Sequence, residues 1–118
     1  MKYLLLIAAR DPEAYADPEF GAAEMQAYID FEKALAEAGV KLAGDALQGV
    51  ETASTVSVGD GGDRVVTDGP YAETREILGG FYLLDVPDLD AALDWAARCP
   101  GAHKGGKVEV RPIMIFDY

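Results

Sequence analysis

The chain opens on an apolar run, Tyr3-Leu4-Leu5-Leu6-Ile7-Ala8-Ala9, closed at once by Arg10-Asp11-Pro12-Glu13. The run is far shorter than the roughly 20 residues that cross a bilayer. No small-residue cleavage site follows it, so it reads as a buried first strand and not as a signal peptide. Residues 10–21 are rich in Asp, Glu and Pro with little hydrophobic periodicity, which predicts a surface connection with room for one helical turn. Between Ala23 and Ala38 the positions Ala27, Tyr28, Phe31, Ala34, Leu35 and Ala38 recur at three- and four-residue steps. That spacing lays one apolar stripe along a helix, and Gly39 supplies a left-handed C-cap. Asp30, Glu32, Lys33 and Glu37 occupy its other faces, the ordinary arrangement of a solvated side.

The pattern then shortens to a period of two. Val40 to Leu47 reads as a second strand interrupted by Gly44, and Thr52 to Val58 as a third, rich in β-branched residues. Gly59-Asp60-Gly61-Gly62-Asp63 turns the chain into Arg64-Val65-Val66-Thr67, so residues 52–67 predict a hairpin. Its glycine-rich tip is no phosphate loop, because neither a helix nor Gly-Lys-Ser/Thr follows. Ile77 to Val86 is a strand containing Gly79-Gly80, which implies a bulge or a close backbone approach. Asp88 is placed to cap a second helix with Leu89, Ala92, Leu93, Ala96 and Cys99 on one face, ended by Pro100. Asp90 in its first turn and Arg98 in its last complement the helix dipole. Lys107 to Phe116 closes the chain as a strand, Val108, Val110, Met114 and Phe116 alternating with Lys107, Glu109 and Arg111.

This order predicts one α+β domain over residues 1–118, a ferredoxin-like split βαβ with an antiparallel sheet, an extra hairpin and both helices on one face. Strands one and five are apolar on both faces. The sheet face without helices therefore calls for a second copy packed against it, giving a homodimer in the form of a dimeric α/β barrel.

Charge and cysteine usage narrow the partners. A formal charge of −11 sets the chain against nucleic-acid phosphates and anionic membranes, with which association would begin in repulsion. With Cys99 as the only cysteine there is no intramolecular disulfide and no CxxC zinc site, and a reduced cytoplasmic location is expected. One His, one Cys and no EF-hand spacing lead us to expect no metal, and no cofactor is expected either.

Four segments carry a resemblance. They are Asp68-Gly69-Pro70-Tyr71, Glu76-Ile77-Leu78-Gly79-Gly80-Phe81-Tyr82, the stretch from Asp90 to Pro100 (DAALDWAARCP), and Val108-Glu109-Val110-Arg111-Pro112. Their order and spacing resemble the DGPF-motif branch of the YCII-related family, from the first strand to the last, with Tyr71 where many members carry Phe. The resemblance implies a ferredoxin-like fold forming a dimeric barrel with a cleft between sheet and helices, often encoded beside extracytoplasmic-function sigma factors. For the YciI-like branch it implies a His on the first helix and an Asp at the end of the second. This chain departs at both places, carrying Tyr28 and Cys99, so that dyad does not transfer.

The candidate chemistry is modest. Asp68 either caps the turn before Gly-Pro or serves as a pocket carboxylate acting as base. Tyr71 and Tyr82 either pack in core or interface or line a cleft with phenol groups. His103, the only histidine, lies in the loop Gly101-Ala102-His103-Lys104-Gly105-Gly106 and is either solvated or catalytic. Glu109 and Arg111 share a strand face, where they either pair with each other or offer the guanidinium to an anionic ligand. Cys99, at a helix C-terminus, reads as an inert buried thiol. The leading expectation is a homodimer binding a small organic molecule, with Asp68 and His103 as catalytic candidates and Tyr71, Tyr82 and Arg111 as ligand contacts. Whether it is an enzyme stays open: the alternatives are a cofactor-free acid/base enzyme of isomerase or monooxygenase type, and an accessory protein acting with a sigma factor.

Overall fold

The structure, a computed structural model, describes residues 1–68 and 77–117. Four strands form one antiparallel sheet: β1 (Lys2–Ala8), β2 (Lys41–Ala46), β5 (Leu78–Asp85) and β6 (Val108–Pro112), in the order β2-β5-β1-β6. Helix α1 (Pro18–Ala38) joins β1 to β2 and α2 (Leu89–Arg98) joins β5 to β6, which is the split βαβ arrangement. Strands β3 (Ser54–Val58) and β4 (Arg64–Asp68) form a separate two-stranded sheet, the hairpin expected from the Gly-rich tip.

Alternation in β1 sends Tyr3, Leu5 and Ile7 to the helix-covered face, where they meet Tyr82 and Leu84 of β5 and Phe31 and Leu35 of α1. Leu5, Leu35, Leu84 and Cys99 are fully buried. Full burial of a large apolar side chain is worth roughly 1.5–3 kcal/mol, so this cluster carries most of the fold's hydrophobic stabilisation. The Phe31 ring meets Tyr82 edge-on at 5.4 Å and Trp95 at 6.1 Å, locking α1 to both β5 and α2.

Two element boundaries move furthest relative to the sequence pattern. Helix α1 begins at Pro18, not Ala23, because Asp17 caps it by accepting from the Glu19 N–H at 2.9 Å and Pro18 occupies the first turn. The segment before it, Pro12–Ala16, forms a short 3-10 helix. Strand β6 stops at Pro112, opposite Tyr3, with one more bond from the Ile113 N–H to the Lys2 carbonyl at 2.9 Å, because its partner β1 begins at Lys2, whereas the alternation ran on to Phe116. Other expectations match closely: Gly39 caps α1 at φ 67°, and the Asp88 carboxylate accepts from the Ala91 N–H at 2.9 Å.

Gly79 and Gly80 do both things expected of strand glycines. The β1–β5 register runs Ile7 opposite Gly80 and then Ala8 opposite Leu78, so Gly79 is the extra residue of a bulge. A Cβ on Gly79 would lie 2.8 Å from the Ala9 Cα, closer than real Cβ atoms approach backbone.

The hairpin stands apart from this body. All of β4 and most of β3 are exposed, and the radius of gyration is 16.6 Å. A closely packed chain of this length would have about 13.5 Å. Among the described residues no helix is long and apolar enough to cross a membrane.

Candidate functional site

A cleft of about 530 Å³ opens between α1 and the sheet. Its floor is the bulged region Ile7–Ala9 and Ile77–Tyr82; its rim is the end of β2 with residues 47–51. Its wall is the α1 stripe Glu24, Tyr28 and Glu32, one residue per turn. Gly101, from the turn after α2, closes the back of the cleft beside Ile7 and Tyr28.

Each wall residue is held. Arg10 donates through Nε to Glu24 Oε1 at 2.7 Å, and both side chains are about nine-tenths buried. The same guanidinium donates to the carbonyls of Pro100, His103 and Lys104 at 3.0, 2.8 and 3.2 Å. One cation thereby ties β1, α1 and the α2–β6 connection together, and its charge is fully compensated as a buried charge requires. Tyr15 donates to the second Glu24 oxygen at 2.6 Å; burial first, then this bond and the Glu24 charge, raise its phenol pKa. One turn on, the Tyr82 hydroxyl donates to Glu32 Oε1 at 3.0 Å, while Lys41 Nζ binds Glu32 Oε2 at 2.8 Å. The Lys41 hydrogen bond, helped by that of Tyr82, lowers the Glu32 carboxyl pKa against the opposing desolvation.

Between these two networks lies Tyr28, with its Oη 3.9 Å from the Cys99 Sγ. These are the positions where the resemblance puts His and Asp, and they do meet at the back of the cleft, but as a phenol and a thiol. Burial pushes the Tyr28 and Tyr82 phenols far above the ordinary tyrosine value and also raises the Cys99 thiol. Near neutral pH the cleft therefore presents proton donors, with no thiolate and no phenolate.

Of the sequence-predicted residues, Tyr82 lines the cleft from β5, with its ring in the core. His103 lies on the far side of the Arg10–Glu24 pair, where its Nε2 meets the Ala97 carbonyl at 2.6 Å and caps the last turn of α2. A carbonyl can only accept, so Nε2 carries the proton. Asp68 ends β4 opposite Ser54, exposed on the hairpin. Arg111, opposite Leu4 on the edge strand β6, is exposed on the sheet face turned away from the helices. Neither lines this cleft. Among the described residues Glu109 and Arg111 form no ion pair with each other. Tyr71 and most of the Asp68-Gly69-Pro70-Tyr71 motif lie outside the described residues. Among the described residues no cluster of three or more His, Cys, Asp or Glu has metal-binding geometry.

Sequence reasoning passed over Arg10, Glu24, Tyr28 and Glu32 as site residues. The available signal was the four-residue step Glu24-Tyr28-Glu32, which sets a carboxylate one turn to either side of a tyrosine of the apolar stripe.

Comparison with known proteins places these features in a family. A sequence model of the YCII-related domain matches residues 1–117. An uncharacterised protein of Rhizobium meliloti (strain 1021) is 48% identical over 56 residues. That match spans 47% of this chain and 45% of the relative, less than half the length of either. Among solved structures, a 5-chloro-2-hydroxyhydroquinone dehydrochlorinase from Burkholderia phenoliruptrix AC1100, in complex with 2,5-dihydroxybenzoquinone, superposes with a TM-score of 0.52. The alignment covers 97% of this chain and 94% of that one at 12% identity, a likeness of fold. The chain belongs to the YCII-related domain family.

Proposed function

We propose that this protein is a homodimer that binds a small, planar, oxygen-bearing organic ring in the cleft between α1 and the sheet. The observation that carries this reading is Tyr28: a phenol kept protonated by burial, facing a largely apolar space of about 530 Å³. A volume of this order suits a small ligand, and a few placed donors in an apolar cavity fix its orientation. Tyr28 accepts only a weak S–H contact from Cys99, so its own O–H is free to donate to a ligand carbonyl or hydroxyl. The dehydrochlorinase of like fold was solved with 2,5-dihydroxybenzoquinone, a ring of this description, which lends support from outside the chain.

The opposite face of the sheet supports the dimer reading. Leu4 pairs with Leu83 and Leu6 with Phe81, placing four apolar side chains together where neither helix reaches. A second copy laid face to face would remove them from water.

The test is a thermal-shift titration of the purified protein with 2,5-dihydroxybenzoquinone and related hydroquinones. A ligand at 100 times its Kd stabilises by about 2.7 kcal/mol, a shift of several degrees. Tyr28→Phe, which keeps the ring and removes the donor, is expected to abolish most of that shift. Equal shifts in both proteins, or none in either, would remove the basis for the reading.

Turnover is the second reading, favoured by the contact between Tyr28 and Cys99. Since both groups hold their protons, Tyr28 would act there as a general acid. A catalytic base would have to come from Glu24 or Glu32, and the Asp68 and His103 assignments would give way to these.

A further inference from the structure

The Arg10–Glu24 pair is a partition wall. On its other side a second groove of about 490 Å³ runs between the outer face of α1 and the α2–β6 connection. Its floor is small and apolar: Ala23, Ala27 and Ala34, stacked along α1, with Phe20 and Phe31. Its rim is formed by the cations Arg98, at the end of α2, and Lys104, together with His103.

Three features distinguish this rim from scattered surface charge. First, neither Arg98 nor Lys104 has a carboxylate partner among the described residues, in a chain where Asp and Glu outnumber Lys and Arg by 21 to 10. Second, both are held by aromatic rings that leave their N–H groups available. The Arg98 guanidinium lies 4.4 Å from the Trp95 ring centroid, and the Lys104 ammonium 5.4 Å from that of Phe20. Third, Lys104 adopts a left-handed backbone at φ 54°, a conformation that disfavours any side chain, although Gly105 stands next to it at φ 83°. Such strain persists only where surroundings enforce it. Here the Arg10 guanidinium does so, gripping the carbonyls of residues 100, 103 and 104.

The charge count sets the ligand's class. Glu24 is neutralised by Arg10, which leaves Asp30 on the α1 side against Arg98 and Lys104: two cations and one carboxylate, a balance of one positive charge. His103 adds a ring whose Nε2 is taken by the Ala97 carbonyl. We infer that this groove is a second binding site, for a small organic monoanion whose carboxylate meets Arg98 and Lys104 and whose apolar body lies on the alanine face of α1.

Trp95 is the only tryptophan in the chain and lies against Arg98, so its fluorescence reports on this groove. The full chain would be titrated with benzoate and with hexanoate, following Trp95 emission. The Arg98→Gln, Lys104→Gln double variant and Tyr28→Phe would be titrated in parallel, each checked for an unchanged circular dichroism spectrum. The inference expects saturable binding that weakens with added salt, falls roughly tenfold or more in the double variant and is unchanged in Tyr28→Phe. It is overturned if neither carboxylate binds, or if the double variant binds as well as the parent. Loss of binding in Tyr28→Phe would also overturn it, since the carboxylate would then occupy the cleft. So would tighter binding of inorganic phosphate than of benzoate, because the apolar floor would then contribute nothing.

Discussion

Gly101 is the residue on which the back of the cleft turns. A Cβ there would lie 2.5 Å from Ile7 Cγ2 and 2.8 Å from the Tyr28 hydroxyl, so any side chain displaces one or the other. Gly101→Ala is expected to destabilise the fold by about 1–3 kcal/mol, the usual cost of overpacking, seen as a lower Tm. It should also weaken cleft ligands by moving Tyr28. Glu32 leads to a pH prediction. Its folded pKa is depressed by Lys41 and Tyr82, so its contribution to stability is present above the ordinary carboxylate value and is lost as pH falls through the folded value. Glu32→Gln should therefore lower Tm at neutral pH and leave it nearly unchanged in strong acid. Because the Glu32 side chain is 42% exposed, the difference should be small and sensitive to salt. The tyrosines behave oppositely. With folded pKa values raised by burial, Tyr28 and Tyr82 favour the native state below the ordinary tyrosine value, and stability falls as pH rises beyond it. In an alkaline titration followed by near-ultraviolet absorbance, these two phenols should ionise only as the chain unfolds.

At the scale of the element, stability is unevenly distributed. Asp17 and Asp88 each cap a helix with one carboxylate-to-backbone bond. Asp17→Ala and Asp88→Ala should each cost about 1 kcal/mol, measured by denaturant unfolding. Strands β3 and β4 pair with each other in a two-stranded sheet of their own. A two-stranded ribbon is marginal by itself in water, and Val56, Val58, Val65 and Val66 are all more than half exposed. Backbone amides of residues 54–68 should exchange with solvent much faster than those of β1 and β5, whose side chains are interlocked with both helices. The reverse order would mean that the arm is covered in solution.

At the scale of the whole molecule, the sheet face turned away from the helices is apolar and only partly buried. Leu4, Leu6, Phe81 and Leu83 form its centre, with Glu109 and Arg111 along the β6 edge. Sedimentation of the native protein is expected to give the mass of a dimer, and Leu83→Asp that of a monomer with the same helical content. Beyond β6, Met114, Ile115 and Phe116 add further exposed apolar surface, between 61% and 83% accessible. A face-to-face dimer would leave α1 and α2 on the outside, with both the cleft and the cationic groove open.

The amino-acid sequence by itself determined the elements and their order, because the apolar period of β1, α1, β5 and α2 is enforced residue by residue by burial. It also marked Gly39, Asp88 and Gly79-Gly80, where the backbone admits few alternatives. It left the start of α1 unread, since the signal there is the Asp17-Pro18 cap and first turn, and it carried the last strand past Pro112, where alternation outlasts the pairing with β1. The site belonged to tertiary structure. Arg10 meets Glu24 and the carbonyls of residues 100–104, and Tyr28 meets Cys99 across 71 positions of chain. No local pattern encodes such pairings, because they arise only when the packed sheet sets which helix face turns inward.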